Sequence, residues 1–266
     1  MQSQLYFPPS LQRFEPRRMV FSTWVDHLPF AYDLIAVLRP KLTVELGVYN
    51  GLSFFTFCQA LVEHDVDGVA YGIDCWEGDV HTDTYDDSIY NDVATHARDQ
   101  YRGIAYLMRM YFNEALKHFE SDSIDLLHID GLHTYEAVNE DFVNWYPKVK
   151  PGGIILFHDV MARMKDFGVW RFFDELMNTE KDIFRFDHGF GLGVLRKPGG
   201  DPYDSPLLNL MFRGSEEEKH KLKQFYVHAS HFLEARRQAE KFKSMTGQKG
   251  KKGGQGKGVV QPESGN

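Results

Sequence analysis

Four acids, three histidines and two glycines stand where they could do chemistry. Glu45-Leu46-Gly47-Val48-Tyr49-Asn50-Gly51-Leu52-Ser53 leads out of an apolar stretch, through a glycine turn, into a second apolar stretch. Gly47 allows close approach of a ligand to the backbone, and Gly51 relieves crowding where a helix starts. The unpaired N–H groups of that helix start suit a carboxylate or a phosphate. The spacing is not the G-x-G-x-x-G of a dinucleotide site. An acid at position 45 disfavours a pyrophosphate and favours a ligand bearing an ammonium group. Asp74, closing Tyr71-Gly72-Ile73, is placed to accept both hydroxyls of a ribose; a helix-capping role would use the same side chain. Together, Glu45 and Asp74 fit a nucleoside that also carries an amino acid, as S-adenosylmethionine does.

Three further strings add reactive groups. Asp130-Gly131-Leu132-His133 sets an imidazole, with an ordinary pKa of ~6.5, one short turn after an acid, so His133 is a candidate base. Asp130 could orient that base or join Phe157-His158-Asp159 in a divalent-cation site built from Asp130, His158 and Asp159. In that second string His158 and Asp159 could equally orient each other. Trp76-Glu77-Gly78-Asp79-Val80-His81 follows the ribose acid and offers His81 as a second base. Trp76 could pack on adenine or on an acceptor, or it could anchor a surface loop.

These residues belong to different parts of the chain, so the fold must bring them together. Apolar runs at 42–46, 69–73, 105–108, 124–129 and 154–157 read as strands, with two more at 183–186 and 192–195. Helical patterns at 31–39, 52–62, 85–100, 112–119, 135–146 and 170–177 alternate with them. This rhythm predicts an α/β fold, a Rossmann-like, doubly wound, mostly parallel sheet with helices on both faces. Right-handed crossovers then put the carboxyl ends of the parallel strands on one edge, where such sheets bind ligands. Gly47, Asp74, Asp130 and Asp159 each follow a strand and should converge there.

On these motifs the chain resembles a class I S-adenosylmethionine-dependent methyltransferase. Within that class it is similar to the small-molecule and sugar O-methyltransferases related to macrolide-sugar O-methyltransferases and to proteins named cephalosporin hydroxylase. The carrying residues are Glu45 to Gly51, Gly72 to His81, Ile129 to Glu136, Pro151-Gly152-Gly153 through His158-Asp159, and Gly191 to Val194. The resemblance covers roughly residues 30–197; the glycine turn is generic, whereas the strings 76–81 and 130–135 are more specific. It implies methyl transfer from S-adenosylmethionine to an alcohol, most naturally a sugar hydroxyl of a glycan or glycosylated metabolite. Glu45, Gly47, Tyr49, Gly51 and Ser53 would hold the methionine portion, Asp74 the ribose, and Trp76 the base or the acceptor. His133 or His81 would take the hydroxyl proton, or Mg²⁺ or another divalent cation on the acids would activate it. Some similar proteins have a second acid where this chain has His158. A noncatalytic nucleoside-binding partner domain and a phenol or catechol O-methyltransferase are the competing readings. A glycosyltransferase partner or a homo-oligomer would be the associations to look for.

Composition narrows the rest. The 266 residues carry 30 Lys+Arg against 38 Asp+Glu, a net charge of −8, which argues against nonspecific nucleic-acid binding. Hydrophobic residues make up 42% and no apolar run reaches the ~20 residues of a membrane span. Two cysteines, Cys58 and Cys75, make no disulfide framework, which favours a reducing, cytoplasmic location. Residues 1–18 hold three prolines and no continuous apolar core, so no secretory leader is expected. The expected organisation is a lead-in over 1–30, a methyltransferase domain over 31–200, a helical extension over 201–245, and a disordered Gly/Lys-rich tail over 246–266. In the extension Leu222, Phe225, Ala229, Phe232 and Leu233 recur at helical spacing and predict one apolar stripe.

Overall fold

The computed structural model describes residues 7–78, 84, 86–164, 166–200 and 205–252. In chain order the elements are α1 (Pro9–Arg13), a 3₁₀ turn (Thr23–His27), α2 (Leu28–Leu38), β1 (Leu42–Leu46), α3 (Leu52–Glu63) and β2 (Val69–Asp74). There follow α4 (Asp87–Gln100), β3 (Ala105–Arg109), α5 (Phe112–Ala115), β4 (Ile124–Ile129), α6 (Tyr135–Trp145) and β5 (Val149–His158). The last are α7 (Val169–Thr179), β6 (Ile183–Phe186), β7 (Leu192–Arg196), α8 (Pro206–Arg213) and α9 (Glu216–Lys252). The chain forms two compact units, one up to Ser230 and one from His231 onward.

In the first unit seven strands form one sheet in the order β3-β2-β1-β4-β5-β7-β6. The five strands β1 to β5 are parallel, whereas β7 is antiparallel to both β5 and β6. The fold is therefore Rossmann-like and mostly parallel, as the alternation predicts. The β4 strand is buried at every position, Ile124 to Ile129, because helices cover both faces of the sheet. From β1 the chain winds outward to β2 and β3, then returns to place β4 on the other side of β1. The crevice of such a sheet opens at this reversal, beyond the carboxyl ends of β1 and β4.

Several boundaries differ from the sequence reading. Helix α2 starts at Leu28, not at residue 31, because Pro29 fits the first helical turn, where its missing N–H costs no hydrogen bond. Strand β5 starts at Val149, before the Pro151-Gly152-Gly153 string, with a register irregularity between Ile124 and Leu126 on its neighbour. Helix α8 falls within the expected helical extension, and Ser205 caps it by accepting from the Leu208 N–H.

The lead-in is core. Phe14 and Trp24 are each 1% exposed, and Ser10 donates through both N–H and Oγ to the buried Asp33 carboxylate on α2, each at 2.7 Å. On α9 the buried stripe within the first unit is Leu222, Tyr226 and Ala229, with Tyr226 in place of the expected Phe225. Tyr226 Oη donates to Asp33 at 3.1 Å. Phe232, in the second unit, is 56% exposed and so leaves the expected stripe. The α9 backbone continues past residue 246, where the sequence suggests a disordered tail, to Lys252; residues 253–266 lie outside the described residues. Among the described residues no helix is long and apolar enough to cross a membrane.

Candidate functional site

The crevice is a cavity of ≈ 460 Å³ at the carboxyl ends of the parallel strands, within the range of small-molecule sites. One wall is the turn from Gly47 to Gly51. Gly47 has φ +89°, and a Cβ there would lie 2.0 Å from the Asp130 carbonyl oxygen. Only glycine lets the ends of β1 and β4 approach so closely, with Asp130 N–H donating to Leu46 O at 2.9 Å. Tyr49 is also left-handed, at φ +46°, a costly geometry for an aromatic residue. Asp74 holds it there. One Asp74 oxygen accepts from the N–H groups of Val48 and Tyr49, both at 2.9 Å, and the other accepts from Trp76 N–H at 2.7 Å. Asp74 is itself among the residues that line the cavity. Helix α3 starts at the left-handed Gly51 without a side-chain cap, and its first residues, Leu52 and Ser53, line the same wall.

Gly47, Tyr49, Gly51, Ser53 and Asp74 thus meet around one cavity. Two expected contacts lie elsewhere. Glu45 is fully buried behind the wall. It accepts from Ser53 Oγ at 2.9 Å and stands 3.0 Å from His128 Nδ1, so both oxygens are engaged away from the lining. Burial pushes its pKa up, against the opposing pull of His128 and Ser53. Glu45 thus braces the wall from within. Trp76, 1% exposed, is also absent from the lining; its Nε1 donates to Tyr49 O at 3.0 Å and its ring packs on Tyr90. It supports the glycine turn from behind.

The other wall carries the acids and imidazoles of β4 and β5. Asp130, His133 and Asp159 each present one ligand atom, and these atoms lie within 4.8 Å of one another. His133 Nε2 is 3.0 Å from Asp159 and 4.0 Å from Asp130, and its ring stacks on Phe167 with centroids 4.5 Å apart. That donor set, two carboxylates and one imidazole, fits a divalent cation. The expected set, Asp130, His158 and Asp159, shares both of its acids with this one. His158 Nδ1 stands 3.4 Å from Asp130 and 3.2 Å from Asp159. Burial alone would lower its pKa, but the two carboxylates outweigh burial and raise it to about 10. Asp159 is held far below the usual carboxylate range: burial opposes this, and His158 and His133 overcome it. His81 lies outside the described residues.

Sequence reasoning missed a third contributor. Phe21, Ser22 and Thr23, from the lead-in, line the cavity. Behind them Trp24 Nε1 donates to His128 Nε2 at 3.1 Å, which extends the brace to Trp24–His128–Glu45–Ser53. The available signals were a tryptophan in a proline-rich segment and a histidine, His128, within an otherwise apolar strand.

Comparison with known proteins agrees with this geometry. Residues 44–160 match the family model described as Methyltransferase domain. A Sinorhizobium fredii protein, named as the uncharacterized protein y4gI, is 42% identical over 172 residues, 64% of this chain and 19% of the relative. The chain thus spans about a fifth of the length of the curated relative it matches. Among solved structures, the O-methyltransferase TomG of Streptomyces achromogenes, involved in tomaymycin synthesis and seen in complex with SAM, superposes with a TM-score of 0.50 at 15% identity. That match covers 69% of this chain and 83% of TomG. A Corynebacterium glutamicum protein gives a TM-score of 0.51 at 13% identity over 69% of this chain and 84% of its own. At these identities the likeness is one of fold. Residues 44–160, the stretch similar to that family model, span β1 to β5 of the Rossmann-like sheet.

Proposed function

We propose that the protein is an S-adenosylmethionine-dependent O-methyltransferase whose acceptor is a sugar hydroxyl of a glycan or glycosylated metabolite. The observation that carries this reading is one cavity bounded by a glycine turn braced on Asp74 and by the cluster Asp130, His133 and Asp159. S-adenosylmethionine, when bound, supplies a methyl group already activated on a sulfonium, so the protein's task is to bind and align.

The residues present fit that cofactor. The uncapped first turn of α3 offers N–H groups to the amino-acid carboxylate, and Asp74, on the cavity lining, is the acid for the ribose hydroxyls. Gly47, Tyr49, Gly51 and Ser53 form the surface between them. The acceptor hydroxyl approaches the acid–imidazole wall and must come within about 3–3.5 Å of the methyl carbon for in-line displacement. There His133, whose Nε2 lies 3.0 Å from Asp159, takes the hydroxyl proton through the ring nitrogen that Asp159 does not hold, an assistance worth roughly 10²–10⁴-fold. His81 is retained as the alternative base. A divalent cation such as Mg²⁺, held by Asp130, His133 and Asp159, would lower the pKa of that hydroxyl and hold a vicinal diol. His158 Nδ1 stands close behind both acids, 3.4 Å from Asp130 and 3.2 Å from Asp159. The glycosyltransferase partner, the homo-oligomer and the cytoplasmic location remain parts of this proposal.

The test is release of S-adenosylhomocysteine with methyl glycosides as acceptors, with and without excess chelator. Turnover that His133→Ala lowers at least a hundredfold supports the reading. Unchanged rates in both His133→Ala and His81→Ala reject a histidine base, and full rate in chelator rejects the cation. Cofactor binding with no transfer to any hydroxyl would favour a noncatalytic domain.

A further inference from the structure

Residues 15–24 lie along α3 and then across the mouth of the cavity. Gln59 Nε2 donates to Glu15 O at 2.8 Å and Gln59 Oε1 accepts from Arg17 N–H at 2.9 Å. Arg18 Nε donates to Asn50 O, in the glycine turn, at 2.8 Å, while the same guanidinium pairs with Asp92. Six residues on, Trp24 is sealed into the core against His158, with ring centroids 6.1 Å apart, and hydrogen-bonded to His128. The segment is therefore pinned at one end to the turn expected to hold the cofactor and at the other to the back of the acid–imidazole wall. Between the pins, Phe21, Ser22 and Thr23 face the cavity.

Phe21 is 88% exposed although it lines a cavity and follows firmly anchored chain. An exposed aromatic ring at the edge of a cavity offers a face on which a ligand ring can stack. Its two neighbours on the segment, Ser22 and Thr23, are polar. Thr23 is exposed, and Ser22 Oγ, which accepts from Trp24 N–H at 3.1 Å, keeps its own proton to donate. One aromatic face beside several hydrogen-bonding groups suits a ring with an apolar face and many hydroxyls. The C–H bonds of a pyranose face meet the negative face of an aromatic ring favourably, and its hydroxyls find partners that a bare phenol would leave unpaired.

We infer that the segment 18–24 is the acceptor-recognition element, with Phe21 the platform on which a polyhydroxylated ring stacks and Ser22 and Thr23 its hydroxyl partners. The inference rests on the methyltransferase reading and adds a specificity determinant outside residues 44–160, the stretch that matches the methyltransferase family model. The buried chain Trp24–His128–Glu45–Ser53 is the device that sets this element in register with the cofactor turn.

The experiment titrates S-adenosylhomocysteine into the full chain by calorimetry, then follows binding of methyl α-D-glucopyranoside, methyl α-L-rhamnopyranoside and catechol to the loaded protein by saturation-transfer NMR. The expected result is binding of at least one glycoside in preference to catechol, weakened tenfold or more by Phe21→Ala and kept within threefold by Phe21→Trp. Affinity for S-adenosylhomocysteine should change less than twofold in both variants. Binding of catechol alone, of no ring at all, or of a glycoside whose affinity Phe21→Ala leaves unchanged would overturn the inference while leaving the cofactor reading intact. Failure to take up S-adenosylhomocysteine would instead strike the reading on which the inference rests.

Discussion

Glu45 shows how a residue's neighbours decide its task. Its place after β1 suggests a ligand for an ammonium, yet both oxygens are committed to His128 and Ser53 in a fully buried setting. Removing one partner of a buried pair leaves the other uncompensated, at a cost of roughly 3–5 kcal/mol. Glu45→Ala should therefore lower urea-unfolding stability on that scale, while Glu45→Gln, which keeps the shape, should retain S-adenosylmethionine affinity within a few-fold. A Glu45→Gln protein of normal stability that lost all cofactor binding would restore the direct role. Asp33 gives a pH prediction. Burial raises its pKa from 3.8 to about 6, although Ser10 and Tyr226 donate to it. The folded state therefore holds a proton that the unfolded state has released, so the site's contribution to stability falls as pH rises from about 4 to about 6. Denaturant midpoints should decline across that window, and Asp33→Asn should flatten the decline. A wild-type profile that rises there and stays unchanged in the variant would contradict the assignment.

At the level of elements, much of the site was legible because strand ends are legible. The apolar runs at β1, β2, β4 and β5 each stop at a glycine or an acid, and parallel topology sends all four to one edge. That logic placed Gly47, Asp74, Asp130 and Asp159 around one cavity. It could not tell side chains that line a cavity from those that support it. Trp76 and Glu45 sit within a few residues of lining positions yet are buried, Glu45 within β1 and Trp76 at a left-handed φ of +52°. Nor could periodicity show that His158 faces two acids as a donor while His133 reaches round to join them. The β1–β4 contact at Gly47 supplies a prediction at this scale. Gly47→Ala would need a Cβ 2.0 Å from the Asp130 carbonyl, at φ +89°, so either the turn shifts or the strands part. A loss of more than about 3 kcal/mol, or failure to fold, is expected in denaturation experiments; wild-type stability would show that this edge is more plastic than its packing implies.

Across the whole molecule, the least legible part was the lead-in. Prolines at 8, 9 and 16 suggest an irregular approach to the domain, yet the segment buries Phe14 and Trp24 and lends three residues to the cavity. Its hydrophobic residues are too sparse for any period, so only tertiary packing reveals their role. The net charge of −8 and a cavity rimmed by acids are consistent with an acceptor that is neutral or cationic, not a polyanion. Every part of this account requires that the edge shared by β1, β2, β4 and β5 bind S-adenosylmethionine. Calorimetric titration of S-adenosylmethionine into the wild-type chain and into Asp74→Ala measures that requirement directly. Binding at one site per chain, weakened at least tenfold by the substitution, is the predicted result; no heat of binding in the wild type, or equal affinity in the variant, would contradict it.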